Sequence, residues 1–203
     1  MMFISHRVNY LDATIAAEIF SAADGIEFDI RDSGGRILVQ HDPFKDGQDF
    51  KNFLNFCVPN KIYIVNVKSE GIEQMAIDLM VSHGLTNFFL LDCSIPMMVR
   101  LGRGGEKRMA IRFSEYESLE TVRTMAPFVS WVWVDTFTSL PLTKAIADEL
   151  QSLGLKICLV SPELQGQQEK VVIYKDTLKT QGLCVDAVCS KQYNREVWMK
   201  LSR

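Results

Sequence analysis

Short apolar runs rich in Val, Ile and Phe recur along the 203-residue chain, at residues 2–5, 25–30, 61–67, 87–92, 108–113, 129–135, 155–160 and 185–190. Between them, apolar residues return at helical spacing. In 11–23 these are Ile15, Ile19 and Phe20, behind Thr and Asp caps. In 70–83 they are Ile72, Met75, Ala76 and Leu79, and the run stops at His83-Gly84, where glycine reads as a helix terminus. Segments 95–103, 116–125, 142–153 and 167–181 are also helix-like, and a last short helix fits 193–201. Residues 44–61 read as a connection holding one or two helical turns. No linker composition appears, which predicts a single domain over 1–203.

Strands that alternate with helices predict a parallel sheet. The runs are near-continuously apolar, as strands covered on both faces are. Eight strand–helix units in a chain this short predict a compact (β/α)8 TIM barrel, a fold whose lower limit is about 200 residues. An open doubly wound sheet is the rival. The eighth strand and the lack of a Gly-rich first turn favour the barrel.

Composition narrows the function classes. The formal charge is −3, with no clustered Lys or Arg, so no nucleic-acid footprint is expected. The start lacks a basic segment followed by an apolar stretch, so no leader is expected, and no apolar run reaches the roughly 18 residues of a membrane span. The five cysteines (57, 93, 158, 184, 189) form no CxxC pair. They read as buried free thiols in a reducing compartment, hence a cytoplasmic location.

In such a barrel the chemistry sits at the C-terminal strand ends. Those ends carry His6 and Arg7, then Glu27 and Asp29, then Asn66 and Lys68, followed by Asp92, Arg112, Asp135 and Glu163. Glu27 and Asp29 share strand parity, so both side chains face one way. The "DSGG" stretch at 32–35 is a turn signal. With a three-residue loop at 33–35, the returning strand places His41 opposite Glu27 and Val39 opposite Asp29. Two carboxylates on one face call for a hard cation, Mg²⁺ or Ca²⁺. Two histidines at strand ends suit an acid–base pair, and Arg7 and Lys68 suit an anion such as phosphate. Together these describe metal-assisted phosphodiester cleavage. Each residue also has a structural reading, such as an Arg112–Asp135 ion pair in the barrel mouth; His83 reads as a helix-terminal surface residue.

The residues "ISHR", "GIEFDIRDSGGRILVQHD" and "IYIVNVK" resemble the glycerophosphodiester phosphodiesterase family of phospholipase-C-like barrels. The match is strongest in residues 4–68, and the order of elements agrees throughout. The resemblance implies that His6 and His41 are the catalytic acid–base pair, that Glu27 and Asp29 are metal ligands with Asn66 beside them, and that Arg7 and Lys68 contact the phosphate of a small phosphodiester substrate. It also marks departures. Val8 replaces the glycine of His-Arg-Gly. Asn66 replaces the glutamate of Glu-x-Lys, so the protein charge at the cation falls from −3 to −2. Cys189 and Ser190 stand where the family has Thr-Asp, and the insertion after His-Asp shrinks to 43–60. The alternative that these departures raise is a weak or inactive barrel that binds a phosphorylated ligand or a partner.

Overall fold

The computed structural model describes residues 1–200. Its strands are β1 (Met2–Ser5), β2 (Gly25–Ser33), β3 (Arg36–Val39), β4 (Gln48–Asp49), β5 (Ile62–Val67), β6 (Phe88–Leu91), β7 (Ala110–Phe113), β8 (Trp131–Val134), β9 (Lys156–Val160) and β10 (Ala187–Ser190). Eight of them run parallel in the order β1, β2, β5, β6, β7, β8, β9, β10, and β10 pairs back onto β1. The closure is thinnest between β6 and β7, where one bridge, Leu90 to Met109, joins the strands. The expected (β/α)8 barrel is what the chain forms.

The helices are α1 (Ala13–Ala22), α2 (Phe50–Leu54), α3 (Glu73–Ser82), α4 (Ile95–Arg103), α5 (Leu119–Met125), α6 (Lys144–Ser152), α7 (Lys170–Thr180) and α8 (Arg195–Met199). Side-chain caps set several of their starts. Asp12, Ser94, Ser118 and Thr143 each accept the backbone N–H three residues on, which satisfies an otherwise unpaired donor. The segments expected at 116–125 and 142–153 therefore begin later, at Leu119 and Lys144. The final helix is shorter than 193–201, follows a 3-10 turn, and ends at Met199; residue 201 lies outside the described residues.

The apolar material divides in two. Ile4, Ile64, Phe89, Leu91, Trp133 and Val160 fill the barrel interior with their neighbours, and Phe89 stacks on Trp131 at 4.7 Å between ring centroids. A larger layer packs between strands and helices. Gly25 opens β2 because a Cβ there would fall 2.0 Å from the Ile62 carbonyl oxygen.

The β2–β3 hairpin corrects one expectation. Ser33 pairs with Arg36 and Ile30 with Val39, so the loop has two residues, not three. Gly34 and Gly35 both have positive φ, 57° and 80°, the conformation that a tight type I′ turn requires. The register moves by one residue, and Gln40, not Val39, meets Asp29, through an N–H to O=C bond of 3.0 Å. His41 therefore does not lie directly opposite Glu27.

Candidate active site

At the mouth, the chain leaving β1 is folded onto the carboxylates of β2. The His6 N–H donates to the Ser190 carbonyl at 3.0 Å and extends the β1–β10 pairing. Arg7 then takes a left-handed backbone, φ 54°, which costs an L-residue roughly 1–2 kcal/mol. Its N–H donates to Glu27 Oε2 at 2.7 Å. Asn9 adds a reciprocal pair: its Nδ2 donates to Asp29 Oδ2 at 2.8 Å, and its Oδ1 accepts the Asp29 N–H at 2.9 Å. These bonds hold the left-handed turn at Arg7.

Glu27 and Asp29 are each 1% exposed. Such carboxylates need partners, and the neighbouring strands supply them. His6 Nε2 lies 3.7 Å from Glu27 Oε2. Asn66, paired in register with Asp29, donates Nδ2 to Glu27 Oε1 at 2.9 Å. Asp29 has Arg7 Nε at 3.8 Å and Lys68 Nζ at 3.5 Å. The predicted residues His6, Arg7, Glu27, Asp29, Asn66 and Lys68 thus converge. Two oxygens, Asp29 Oδ1 and Asn66 Oδ1, are buried without a hydrogen-bond partner. Among the described residues, no group of three or more His, Cys, Asp or Glu side chains is arranged to hold a metal ion. Any cation site here rests on two carboxylates and an amide.

His41 stands on the returning arm of the hairpin. Its Nδ1 is 2.9 Å from Asp42 Oδ1, and its carbonyl accepts Arg31 Nη2 at 3.0 Å. Lys45 Nζ donates to the same Asp42 at 2.8 Å, and the two contacts hold the Asp42 carboxyl down at about 2.

Burial, then the charges of Lys191, Arg7, Lys68 and His41, hold His6 far below its ordinary value, at about 3. Its ring is neutral near pH 7, and the contact with Glu27 is not an ion pair. Glu27 moves the other way, to about 7, because it is buried and then because Asp29 is close.

The far wall carries a polar chain. Lys68 Nζ donates to Asp92 Oδ2 at 2.9 Å, and Arg112 Nε to Asp92 Oδ1 at 2.7 Å. Arg112 also bonds Asp135, which accepts Gln165 Nε2 at 3.2 Å. Arg112 and Asp135 form the ion pair in the barrel mouth that the sequence suggested. Asp92, like Arg7, has a left-handed backbone, φ 62°. Glu163 accepts Ser190 Oγ at 2.5 Å and the Lys191 N–H at 3.0 Å, closing the mouth between β9 and β10.

Sequence reasoning missed Asn9 and Lys191. Lys191 follows β10, shares the strand parity of Cys189, and ranks after burial among the causes that lower His6. Its parity and its place beside His6 were readable once eight strands were counted. His83 lies away from this mouth, at the end of α3, with Nδ1 2.8 Å from the Leu79 carbonyl. Of the cysteines, 93, 158 and 189 are buried free thiols, Cys57 is partly buried, and Cys184 is exposed.

No protein-family model matches the chain, and no curated protein matches it. Solved structures do. A glycerophosphodiester phosphodiesterase from Thermotoga maritima aligns with 99% of this chain and 98% of its own, at 17% identity and a TM-score of 0.66. A phosphodiesterase from Oleispira antarctica, solved with the product sn-glycerol-3-phosphate, covers 100% and 97% at 14% identity and 0.67. A glycerophosphoryl diester phosphodiesterase from Parabacteroides distasonis covers 98% and 86% at 11% identity and 0.67. The chain shares the fold of these enzymes over nearly its whole length. No described helix is long and apolar enough to cross a membrane.

Proposed function

We propose that the chain is a divergent glycerophosphodiester phosphodiesterase, a phosphoric diester hydrolase acting on a glycerophosphodiester or similar small phosphodiester with the help of Mg²⁺ or Ca²⁺. The observation that carries this is the convergence of His6, Glu27, Asp29, Asn66 and Lys68 at one barrel mouth, with two buried oxygens that accept no hydrogen bond.

The donor set fits a hard cation. Glu27, Asp29 and Asn66 offer oxygens only, the chemistry that Mg²⁺ and Ca²⁺ take. Asn66 would present Oδ1 after a half-turn of its amide, which exchanges the donating nitrogen for the accepting oxygen. When bound, the cation supplies positive charge against the phosphoryl oxygens.

The remaining steps belong to the side chains. Arg7, Lys68 and Lys191 offer cations to the phosphate. His6, neutral at pH 7, takes the proton of the glycerol hydroxyl next to the diester, and that oxygen attacks phosphorus. The bond from phosphorus to the other alcohol breaks. His41, fixed at Nδ1 by Asp42, gives its Nε2 proton to the departing oxygen. Water then opens the cyclic phosphate with the two roles exchanged. Burial of the mouth groups strengthens these charge interactions.

The test is hydrolysis of sn-glycero-3-phosphoethanol, with release of ethanol measured in Mg²⁺ or Ca²⁺ and again with a chelator. Turnover that the chelator abolishes supports the proposal. Binding of sn-glycerol-3-phosphate without turnover in any divalent cation favours the ligand-binding alternative, whose supporting observation is that Asn66 donates to Glu27 instead of adding a third negative charge.

A further inference from the structure

We propose that the alcohol esterified to the phosphate is apolar, an alkyl or acyl-bearing chain, and that it lies in a groove between the amino ends of α4 and α5. This rests on the phosphodiesterase reading and names the substrate class that the mouth selects.

The groove exists because the barrel is loosely closed on one side. β6 and β7 share the single Leu90–Met109 bridge, whereas β7 pairs with β8 from Ala110 to Phe113. Above the bridge the two strands are not joined, and Arg112 crosses the gap to Asp92. Outside that ion pair a groove of about 440 Å³ opens, lined by Cys93, Ile95, Met98, Ile111, Tyr116 and Thr121 among others. That is within the roughly 300–1,000 Å³ of small-molecule sites. Its lining includes Asp92, which Lys68 holds at 2.9 Å, so it reaches within one side chain of Lys68, the residue proposed to meet the phosphate. Its outer end exposes Ile95 (48%) and Tyr116 (76%). Two large apolar side chains left open beside a polar mouth cost solvation unless something covers them.

The apolar side chains of the lining choose the occupant. Asp92 and Arg112 neutralise each other, and Glu117, the other acid of the lining, is engaged by Ser114 Oγ at 2.8 Å. The walls therefore offer mostly apolar contact, with Glu117 the one lining charge outside an ion pair. The apolar lining favours a hydrocarbon over a polyol such as glycerol or inositol, and choline, which Glu117 could attract, is the competitor to test. Each methylene of an alkyl chain gains up to about 0.8 kcal/mol, or roughly fourfold in affinity.

The experiment has two arms. The binding arm titrates ethyl, butyl and octyl phosphate, and choline phosphate, calorimetrically into the full chain in Mg²⁺. Affinity is expected to rise with chain length, octyl over ethyl by at least about tenfold. The Ile95→Asp variant is expected to flatten that series; an acid at the first position of a helix is well tolerated, and a melting curve checks its fold. Equal affinity along the series, or a preference for choline phosphate, overturns the inference, as does an unchanged series in Ile95→Asp. The turnover arm uses sn-glycero-3-phosphoalkyl diesters of the same lengths. Rising kcat/KM supports the groove, and a flat series with good turnover overturns it while leaving the phosphodiesterase reading intact. Chain-dependent binding without turnover on any diester keeps the groove and ends that reading.

Discussion

Asn66 donates its amide nitrogen to Glu27 Oε1 at 2.9 Å while its own Oδ1 is buried without a partner. An amide that could add an oxygen to the carboxylates instead spends its donor on one of them. Hard cations bind more tightly as ligand charge rises, so this site is expected to bind Mg²⁺ or Ca²⁺ only at millimolar concentration. Asn66→Glu should tighten binding about tenfold or more in calorimetric titration. Turnover then separates two cases. A parallel rise means that metal occupancy limits turnover; a fall means that the third carboxylate repels the substrate phosphate. If neither form binds a divalent cation at millimolar concentration, Glu27 and Asp29 are not metal ligands.

The histidines should divide cleanly. His6→Ala and His41→Ala should each lower turnover by roughly 10²- to 10⁴-fold, the usual share of a positioned acid or base. His83→Ala should leave turnover unchanged, because its ring is engaged with Leu79 at the far end of a helix. Steady-state kinetics on the three variants, with melting curves for folding, decides this. Similar losses in all three would mean that the effect is structural.

The eight barrel strands were legible because a strand covered on both faces reads as one apolar run, and those runs carried the polar strand ends with them. Strand-end position singled out Glu27 and Asp29, and parity put both on one face. The hairpin register was not, because the sequence does not say whether Ser33 joins the turn or the ladder; two left-handed glycines decide it in the structure. Helix starts moved for a related reason: Ser118 and Thr143 lie inside apolar periodicity yet serve as caps. Asn9 was illegible in a stricter sense. Its pairing with Asp29 depends on the left-handed turn at Arg7, which no residue type there announces. The same holds for the chain from Lys68 through Asp92 to Arg112, which exists only once β6 and β7 are placed side by side.

Lys191 should act on the phosphate and not on the fold. It stands where the barrel closes, beside His6, and makes no ion pair with a carboxylate of the described residues. A charge-assisted bond to substrate is worth about 1.5–3 kcal/mol. Lys191→Met should therefore raise KM or lower kcat/KM by roughly tenfold or more, with Lys191→Arg restoring most of it. A variant that melts at the wild-type temperature and turns over at the wild-type rate removes Lys191 from the site.

Asp135 makes the mouth sensitive to pH in a direction that its ion pair alone would not suggest. Burial raises its carboxyl from 3.8 to about 6; the charge of Arg112 opposes the rise, while Glu117 and Asp92 add to it. A carboxyl whose folded value is raised binds its proton more tightly in the folded chain. Its contribution to stability is fully present below about pH 4 and is lost as pH rises through about 6. The two values differ by about two pH units, an upper bound of roughly 3 kcal/mol. Asp135→Asn cannot titrate, keeps a similar shape, and leaves Arg112 its bond to Asp92. The variant should thus gain on the wild type between pH 4 and pH 7, by roughly 1–3 kcal/mol, which is several degrees in melting temperature for a chain of this size. Melting curves of both proteins across that range give the difference directly. A difference that does not change with pH, or one that favours the wild type as pH rises, would show that Arg112 overcomes burial and keeps Asp135 ionised throughout.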